Sequence, residues 1–346
     1  MWPPQPTVPL SERPWYWVAP DPHLFPSGGN LYNLRLTAAL RAQQVEVLWM
    51  DLETWRQGAH PPGIAWFDSL YLDALHTLPG GDICCLVVHH LPSLHPPAGM
   101  SGADLFGQYE KPILDRMDAL LVTSEWLARW LAAQDLAAPI LCVPPAPVQP
   151  LISPRRTSLH LRAFMAANLI PRKGILPLIQ AIQTQAASFK DLVWSLTIAG
   201  DKTLDAEYAA ECQAYISMHS SLQEHIHLLG PLSQDEVQAE MARANLYVSA
   251  AEMETFGMSM QDAVAAGLPV LALARGSYAS HVLPDEPQCV ADTHAELAIR
   301  LLYWARHPEA LTPLLTRAAA WNPWAGYDWP AAAHHLLAQA AQCRIC

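Results

Sequence analysis

The stretch that most constrains this chain is residues 244–276, ANLYVSAAEMETFGMSMQDAVAAGLPVLALARG. It opens with a β-type run from Leu246 to Ser249. A polar loop carrying Glu252 and Glu254 follows, then a short helix that starts near Ser259. Gly267 fits the C′ position of that helix, and Pro269 just beyond blocks its continuation. Val270 to Ala274 is a second buried strand. Strand, loop, helix and strand in that order require a parallel sheet with a right-handed crossover. In such sheets ligands bind at the carboxyl ends of strands, where helix N-termini point positive.

The loop sets Glu254 before the helix and Asp262 on its first turn, with seven residues between them. Backbone N–H groups around Phe256, Gly257, Met258 and Ser259 are donors at the helix start and suit an anion such as a diphosphate. The two carboxylates suit sugar hydroxyls, which donate to them in charge-assisted hydrogen bonds. Anion donors flanked by hydroxyl acceptors describe a nucleotide-sugar site better than a free phosphate site.

The run Glu254-Thr-Phe-Gly-Met-Ser-Met-Gln-Asp262, followed by Gly267-Leu-Pro-Val270, resembles the signature of retaining GT-B glycosyltransferases, family 4 in particular. There a second Glu stands where this chain has Asp262, one methylene shorter with the charge kept. The resemblance implies an α/β, GT-B fold: two Rossmann-like domains facing a central cleft, with a C-terminal helix crossing back to the first. It also implies that Glu254 touches the donor sugar hydroxyls and Asp262 the ribose.

Length and composition agree with two folded domains. A chain of 346 residues is too long for one ordinary core, and 51% hydrophobic with 15% charged residues is globular. A net charge of −12 argues against a nucleic-acid binder, whose phosphate contacts need basic patches. No apolar run approaches transmembrane length and no secretory signal opens the chain, so a cytoplasmic enzyme is expected, with peripheral membrane contact left open. The seven cysteines are odd in number and scattered, which fits a reduced compartment. The Cys343-Arg-Ile-Cys346 spacing lacks a second pair and reads as tail, so no metal site is expected.

In the first half, residues 14–22 read as a strand and Pro26-Ser27-Gly28-Gly29-Asn30 as the loop after it. Leu31, Leu34, Ala38 and Leu40 mark an amphipathic helix, and Val45 to Met50 the next strand. The glycine pair lets a ligand approach the backbone closely, without forming a GxGxxG fingerprint. Residues 65–78 read as helix with Trp66, Leu70, Leu72, Leu75 and Leu78 inward. Asp82 to Val88 is a strand running into His89 and His90, a polar pair at a strand's carboxyl end. Residues 93–110 read as a mobile loop. Ala119 to Val122 and Ile140 to Val143 are strands, and Ser124 caps the helix between them. The resemblance places Gly28 and Gly29 near the donor phosphate, and one imidazole of the His89–His90 pair, His90 by alignment, on the donor sugar.

In the second half, Leu161 to Ala166 is a strand, and Asn168-Leu-Ile-Pro-Arg172-Lys173-Gly174 leads into a helix from Ile175 to about Ala187. Two cations between a strand and a helix N-terminus are placed to hold a diphosphate. Pro171-Arg-Lys-Gly174 resembles a family turn whose further Arg is replaced here by Asn168. Trp194 to Ala199 ends in Gly200-Asp201-Lys202, and Ile226 to Leu229 in Gly230. The family sets the Gly230 loop against the nucleotide base. Ser233 and Glu236 form a capping box.

The expected domains are 1–150 on the acceptor side, 151–328 for the nucleotide sugar, and a crossover helix in 329–346. The expected activity is transfer of a hexosyl or N-acetylhexosaminyl group, with retention, from a UDP or GDP sugar. The acceptor hydroxyl could belong to a glycan, a lipid-linked sugar, a small molecule or a peptide. The nucleotide sugar is a co-substrate, and no cofactor or metal is expected. Asn168 and Asp262 keep a second expectation open: a weak or inactive GT-B subunit that partners another glycosyltransferase.

Overall fold

The alternation of buried β-type runs with helices is realised as two six-stranded parallel sheets. A computed structural model describes residues 13–22, 27–77, 82–97, 99–148, 160–343 and 345. The N-terminal segment, Pro26, Leu78, the linker after Val148 and the Cys346 end of the CxxC spacing lie outside the described residues. The chain divides into two units, residues 1–146 with 327–346, and residues 147–326.

The first unit runs β1 (Trp15–Val18), α1 (Gly28–Ala42), β2 (Val47–Met50), α2 (Leu52–Arg56), β3 (Ile64–Asp68), β4 (Ile83–Val88), α3 (Gly102–Leu105), α4 (Lys111–Leu114), β5 (Ala119–Val122), α5 (Glu125–Ala132) and β6 (Ile140–Cys142). Its strand order is β2-β1-β3-β4-β5-β6. One face of the sheet packs Tyr16, Val18, Phe67, Leu86, Val88 and Leu120 against α5 and its neighbours. On the other, Trp17 lies in register between Trp49 and Trp66.

The second unit runs β7 (Leu161–Ala166), α6 (Ile175–Thr184), α7 (Ala186–Phe189), β8 (Trp194–Ala199), α8 (Ala206–Met218), α9 (Ser220–Gln223), β9 (Ile226–Gly230), α10 (Gln234–Arg243), β10 (Leu246–Ser249), α11 (Met258–Ala265), β11 (Val270–Leu273), β12 (Val290–Ala291), α12 (His294–Arg306) and α13 (Leu311–Ala320). Its strand order is β12-β11-β10-β7-β8-β9. The central strands β10 and β11 alternate little in polarity because both of their faces are buried. α14 (Trp329–Gln342) belongs to the first unit. The Gln339 side chain pairs with both the N–H and the C=O of Cys142, at 2.9 and 3.0 Å, and so occupies the otherwise open edge of β6.

Four local expectations are corrected. Residues 65–78 are not a helix: β3 ends at Asp68 and a 3-10 turn spans Ser69–Ala74. A short apolar run buried on both faces cannot be told from a buried helix by periodicity. Leu70, expected inward, is 60% exposed. Residues 93–110 are not an open loop but a 3-10 turn, α3 and a π-turn, Phe106–Glu110. There the buried Glu110 carboxylate accepts from the backbone N–H and the hydroxyl of Ser93. Gly28 and Gly29 sit inside the first turn of α1, capped by Ser27, rather than in a preceding loop. Leu40 is buried as expected, but the buried face of α1 also carries Asn30, Asn33 and Thr37 beside Tyr32 and Leu36 while Leu34 points out, which apolar spacing cannot detect.

Candidate functional site

Each sheet changes direction at one place. In the second sheet it lies between the adjacent strands β7 and β10, the place at which open α/β sheets bind ligands. The loop after β7 carries Arg172 and Lys173, and the loop after β10 carries Glu252 and Glu254.

Backbone geometry brings the two loops together. Gly174, at φ +64°, closes the turn Pro171–Lys173, and a Cβ there would fall 2.0 Å from the Ala250 carbonyl oxygen. Only glycine permits both the left-handed backbone and this approach. Arg172 Nη1 donates to the Met253 carbonyl at 2.9 Å, and Glu252 N donates back to the Arg172 carbonyl at 2.9 Å. Lys173 Nζ then donates to Glu254 Oε1, with 18% and 14% of the two side chains exposed. Burial pushes the Glu254 carboxyl up, but Lys173 and Arg172 outweigh it and hold it below the ordinary range. Burial lowers the Lys173 ammonium despite Glu254. A small recess beside the pair is lined by Met165, Ala166, Tyr247, Ser249 and Ser259. The Tyr247 hydroxyl accepts from Ala166 N at 3.2 Å and donates to the Ala166 carbonyl at 3.3 Å.

Gly257, at φ +92°, turns the loop into α11, which begins at Met258. Phe256 is buried. Asp262 falls on the second turn of α11 rather than the first, and its Oδ1 accepts from Val148 N at 2.9 Å. Asn168 Oδ1 accepts from Asp201 N at 3.1 Å and so ties the exit of β7 to the turn after β8. Gly200 fits tightly there: a Cβ would meet the Ala167 carbonyl oxygen at 1.9 Å. Gly230, at φ +89°, ends β9, and Lys202 beside it donates to the Leu228 carbonyl at 2.9 Å.

The first sheet changes direction between β1 and β3. Here Asn33 of α1 and Asp68 at the end of β3 are fully buried. Asn33 Nδ2 donates to Asp68 Oδ2 at 2.5 Å, which fixes the amide so that Asn33 Oδ1 faces His89 Nε2 at 2.9 Å. A carbonyl oxygen only accepts, so Nε2 carries the proton. His89 Nε2 lies 3.5 Å from Asp68, and the ring presses on Gly29, where a Cβ would come within 2.9 Å. Burial lowers the His89 imidazole while Asp68 opposes the shift. Ser69 Oγ accepts from the backbone N–H groups of His89 and His90, at 3.0 and 3.4 Å. The first unit thus gathers Gly28, Gly29, His89 and His90. The second gathers Arg172, Lys173, Glu254, Phe256, Gly257 and Met258, with Asp262 farther along α11 and Asn168, Gly200 and Gly230 across β7 to β9.

Sequence reasoning missed Asn33, Asp68, Tyr247, Ser277, His281 and His294. Asp68 left one signal, a lone acid ending the apolar run Ile64–Phe67; the others left none, because they act through partners distant in the chain. His294 Nε2, for example, donates to the Ala250 carbonyl at 3.0 Å. Among the described residues, no three His, Cys, Asp or Glu side chains group as metal ligands, and no helix is long and apolar enough to cross a membrane.

Comparison with known proteins bears on this arrangement. Residues 160–314 match the family Glycosyl transferases group 1. No curated protein matches the chain. A sucrose-phosphate synthase (tll1590) from Thermosynechococcus elongatus superposes with a TM-score of 0.73 at 16% identity, over 95% of this chain and 98% of the other. Anabaena Alr3699/HepE, in complex with UDP and glucose, superposes with a TM-score of 0.73 at 14% identity, over 95% of this chain and all of the other. A glycosyltransferase from Rickettsia africae ESF-5 gives 0.64 at 12% identity, over 96% and 98%. The chain has the GT-B fold, and its second unit carries a Glycosyl transferases group 1 domain.

Proposed function

We propose that this GT-B chain is a glycosyltransferase that moves a sugar from a nucleoside-diphosphate sugar to an acceptor hydroxyl with retention of anomeric configuration. The observation that carries this reading is the meeting of Lys173 and Glu254 where the second sheet changes direction, inside the matched domain. Lys173, Arg172 and the N–H groups at the start of α11 would stabilise the departing diphosphate, charge that develops in the transition state. Glu254 would accept from the sugar hydroxyls and Asp262 from the ribose. Asn168, Gly200 and Gly230 would lie on the nucleoside side. In a same-face reaction the acceptor oxygen bonds to the anomeric carbon as the bond to the diphosphate breaks, and the donor phosphate takes the acceptor proton. The Anabaena protein's complex with UDP-glucose makes UDP-sugars the first donors to test.

Asn168 favours a second reading, a weak or inactive subunit. It supplies no cation at a position where the resemblance expects one, and it holds the turn after β8 instead.

Thermal unfolding against UDP-, GDP- and ADP-sugars tests the donor site, because a ligand of the native state raises the melting temperature by mass action. The expected result is a rise with one base, whose sugar-dependent part is lost in Glu254→Ala. No rise with any of them sinks the reading. Donor hydrolysis above that of Lys173→Ala would reject the inactive alternative.

A further inference from the structure

The Phe256 carbonyl, at the turn between the acidic loop and α11, receives two side-chain donors. Ser277 Oγ lies 2.5 Å from it and His281 Nε2 lies 2.7 Å from it. A carbonyl oxygen cannot donate, so the neutral His281 ring carries its proton on Nε2. Its Nδ1 is then an acceptor, and it is buried with no partner among the described residues. Burying such a nitrogen costs free energy that an aliphatic side chain of similar size would not incur. The ring must therefore contribute something an aliphatic residue could not, and the donated Nε2–H is that contribution. His281 is fully buried, edge-on to the Phe256 ring at 5.0 Å and stacked on Trp324 at 5.9 Å, so its aim is fixed.

Ser277 grips the other side of the same segment. Its N–H donates to the Glu254 carbonyl at 2.9 Å, and its hydroxyl lies 3.3 Å from that oxygen. Gly276, at φ +61°, brings the chain so close that a Cβ would fall 2.0 Å from the Glu254 carbonyl oxygen. The turn after β11 is thus the template on which residues 254–257 are laid.

We infer that His281 and Ser277 are positioning residues of the proposed donor site. By fixing the Phe256 and Glu254 carbonyls they set the direction in which the Glu254 carboxylate leaves the backbone and in which α11 begins. The inference rests on the donor-site reading for its ligand, but the clamp itself can be measured without one.

The test compares wild type, His281→Leu, His281→Gln and Ser277→Ala. Gln keeps an N–H donor at about the reach of Nε2; Leu does not. Hydrogen–deuterium exchange is read at the amides of residues 254–258, and affinity is read with UDP-glucose and with UDP. In His281→Leu those amides are expected to exchange at least about tenfold faster, the loss of roughly one buried hydrogen bond. UDP-glucose binding should weaken by about as much, and more than UDP binding, because Glu254 faces the sugar. His281→Gln should restore both, and Ser277→Ala, the smaller change, should lie between. Unchanged exchange and affinity in His281→Leu would overturn the inference, as would a Gln variant as impaired as Leu. If wild type binds neither ligand, the donor-site reading fails, and exchange at 254–258 still decides the clamp.

Discussion

Lys173 Nζ donates to Glu254 Oε1, so each of the two charges proposed to meet the donor is the other's partner. A ligand that takes Lys173 for its phosphates and Glu254 for its sugar must separate them. The first prediction follows. Glu254→Gln releases Lys173 and should tighten binding of UDP alone about fivefold, the worth of roughly 1 kcal/mol. The same change should weaken UDP-glucose relative to UDP. Calorimetric titration of both ligands checks this, and equal losses for both would refute it.

The pair also sets an acid dependence. The Glu254 carboxyl is held below its ordinary value, so its contribution to stability is present above the unfolded value of about 4.3 and is lost as pH falls through the folded value. The stability of wild type minus that of Glu254→Gln should therefore shrink below about pH 4, as measured by urea unfolding.

Burial lowers the His281 imidazole to about 4, against the opposing influence of the Phe256 carbonyl and Glu254. The unfolded chain protonates this ring near pH 6.5, the folded chain only near pH 4. Stability should thus fall as pH drops between those values, by an amount on the order of 3 kcal/mol for this residue alone. His281→Gln should flatten that limb in a pH series of denaturant midpoints.

Gly174→Ala should be severe. The new Cβ meets the Ala250 carbonyl and His294 while φ is left-handed, so the backbone must shift where Lys173 is held. A loss on the order of 2–3 kcal/mol is expected, with a matching loss of UDP-glucose affinity. Gly58→Ala, at positive φ with nothing near its Cβ, is the control and should cost about 1 kcal/mol or less.

In the first unit, Asn33→Leu removes the amide that solvates the buried Asp68 carboxylate and orients His89. Losing this donor, while Leu70 N still donates to Asp68 Oδ1 at 2.7 Å, should cost about 1–3 kcal/mol. Asn33→Leu with Asp68→Asn should recover part of the loss, and a double-mutant cycle by urea unfolding measures the coupling.

The sequence alone determined the alternation of strands and helices, the parallel sheets it requires, and the place of Lys173 and Glu254 on loops that follow strands. Those conclusions rest on local signals: Gly267 and Pro269 ending α11, Ser124 and Ser233 capping helices, cations and acids at the carboxyl ends of strands. Such signals act over a few residues and survive in the linear string.

Tertiary structure decided what depends on residues far apart in the chain. It made residues 64–68 a strand, because neighbours on both faces bury them. It buried Asn33 of α1 beside Leu36 and Leu40, because Asn33 meets Asp68 and His89 there. It set Asn168 to holding the turn after β8. It brought Ser277 and His281 onto the Phe256 carbonyl, and His294 onto Ala250. A buried hydrogen bond between distant residues has no periodicity and no fixed spacing, so no local pattern announces it. Its energy comes from removing both partners from water, which happens only when the chain closes on itself.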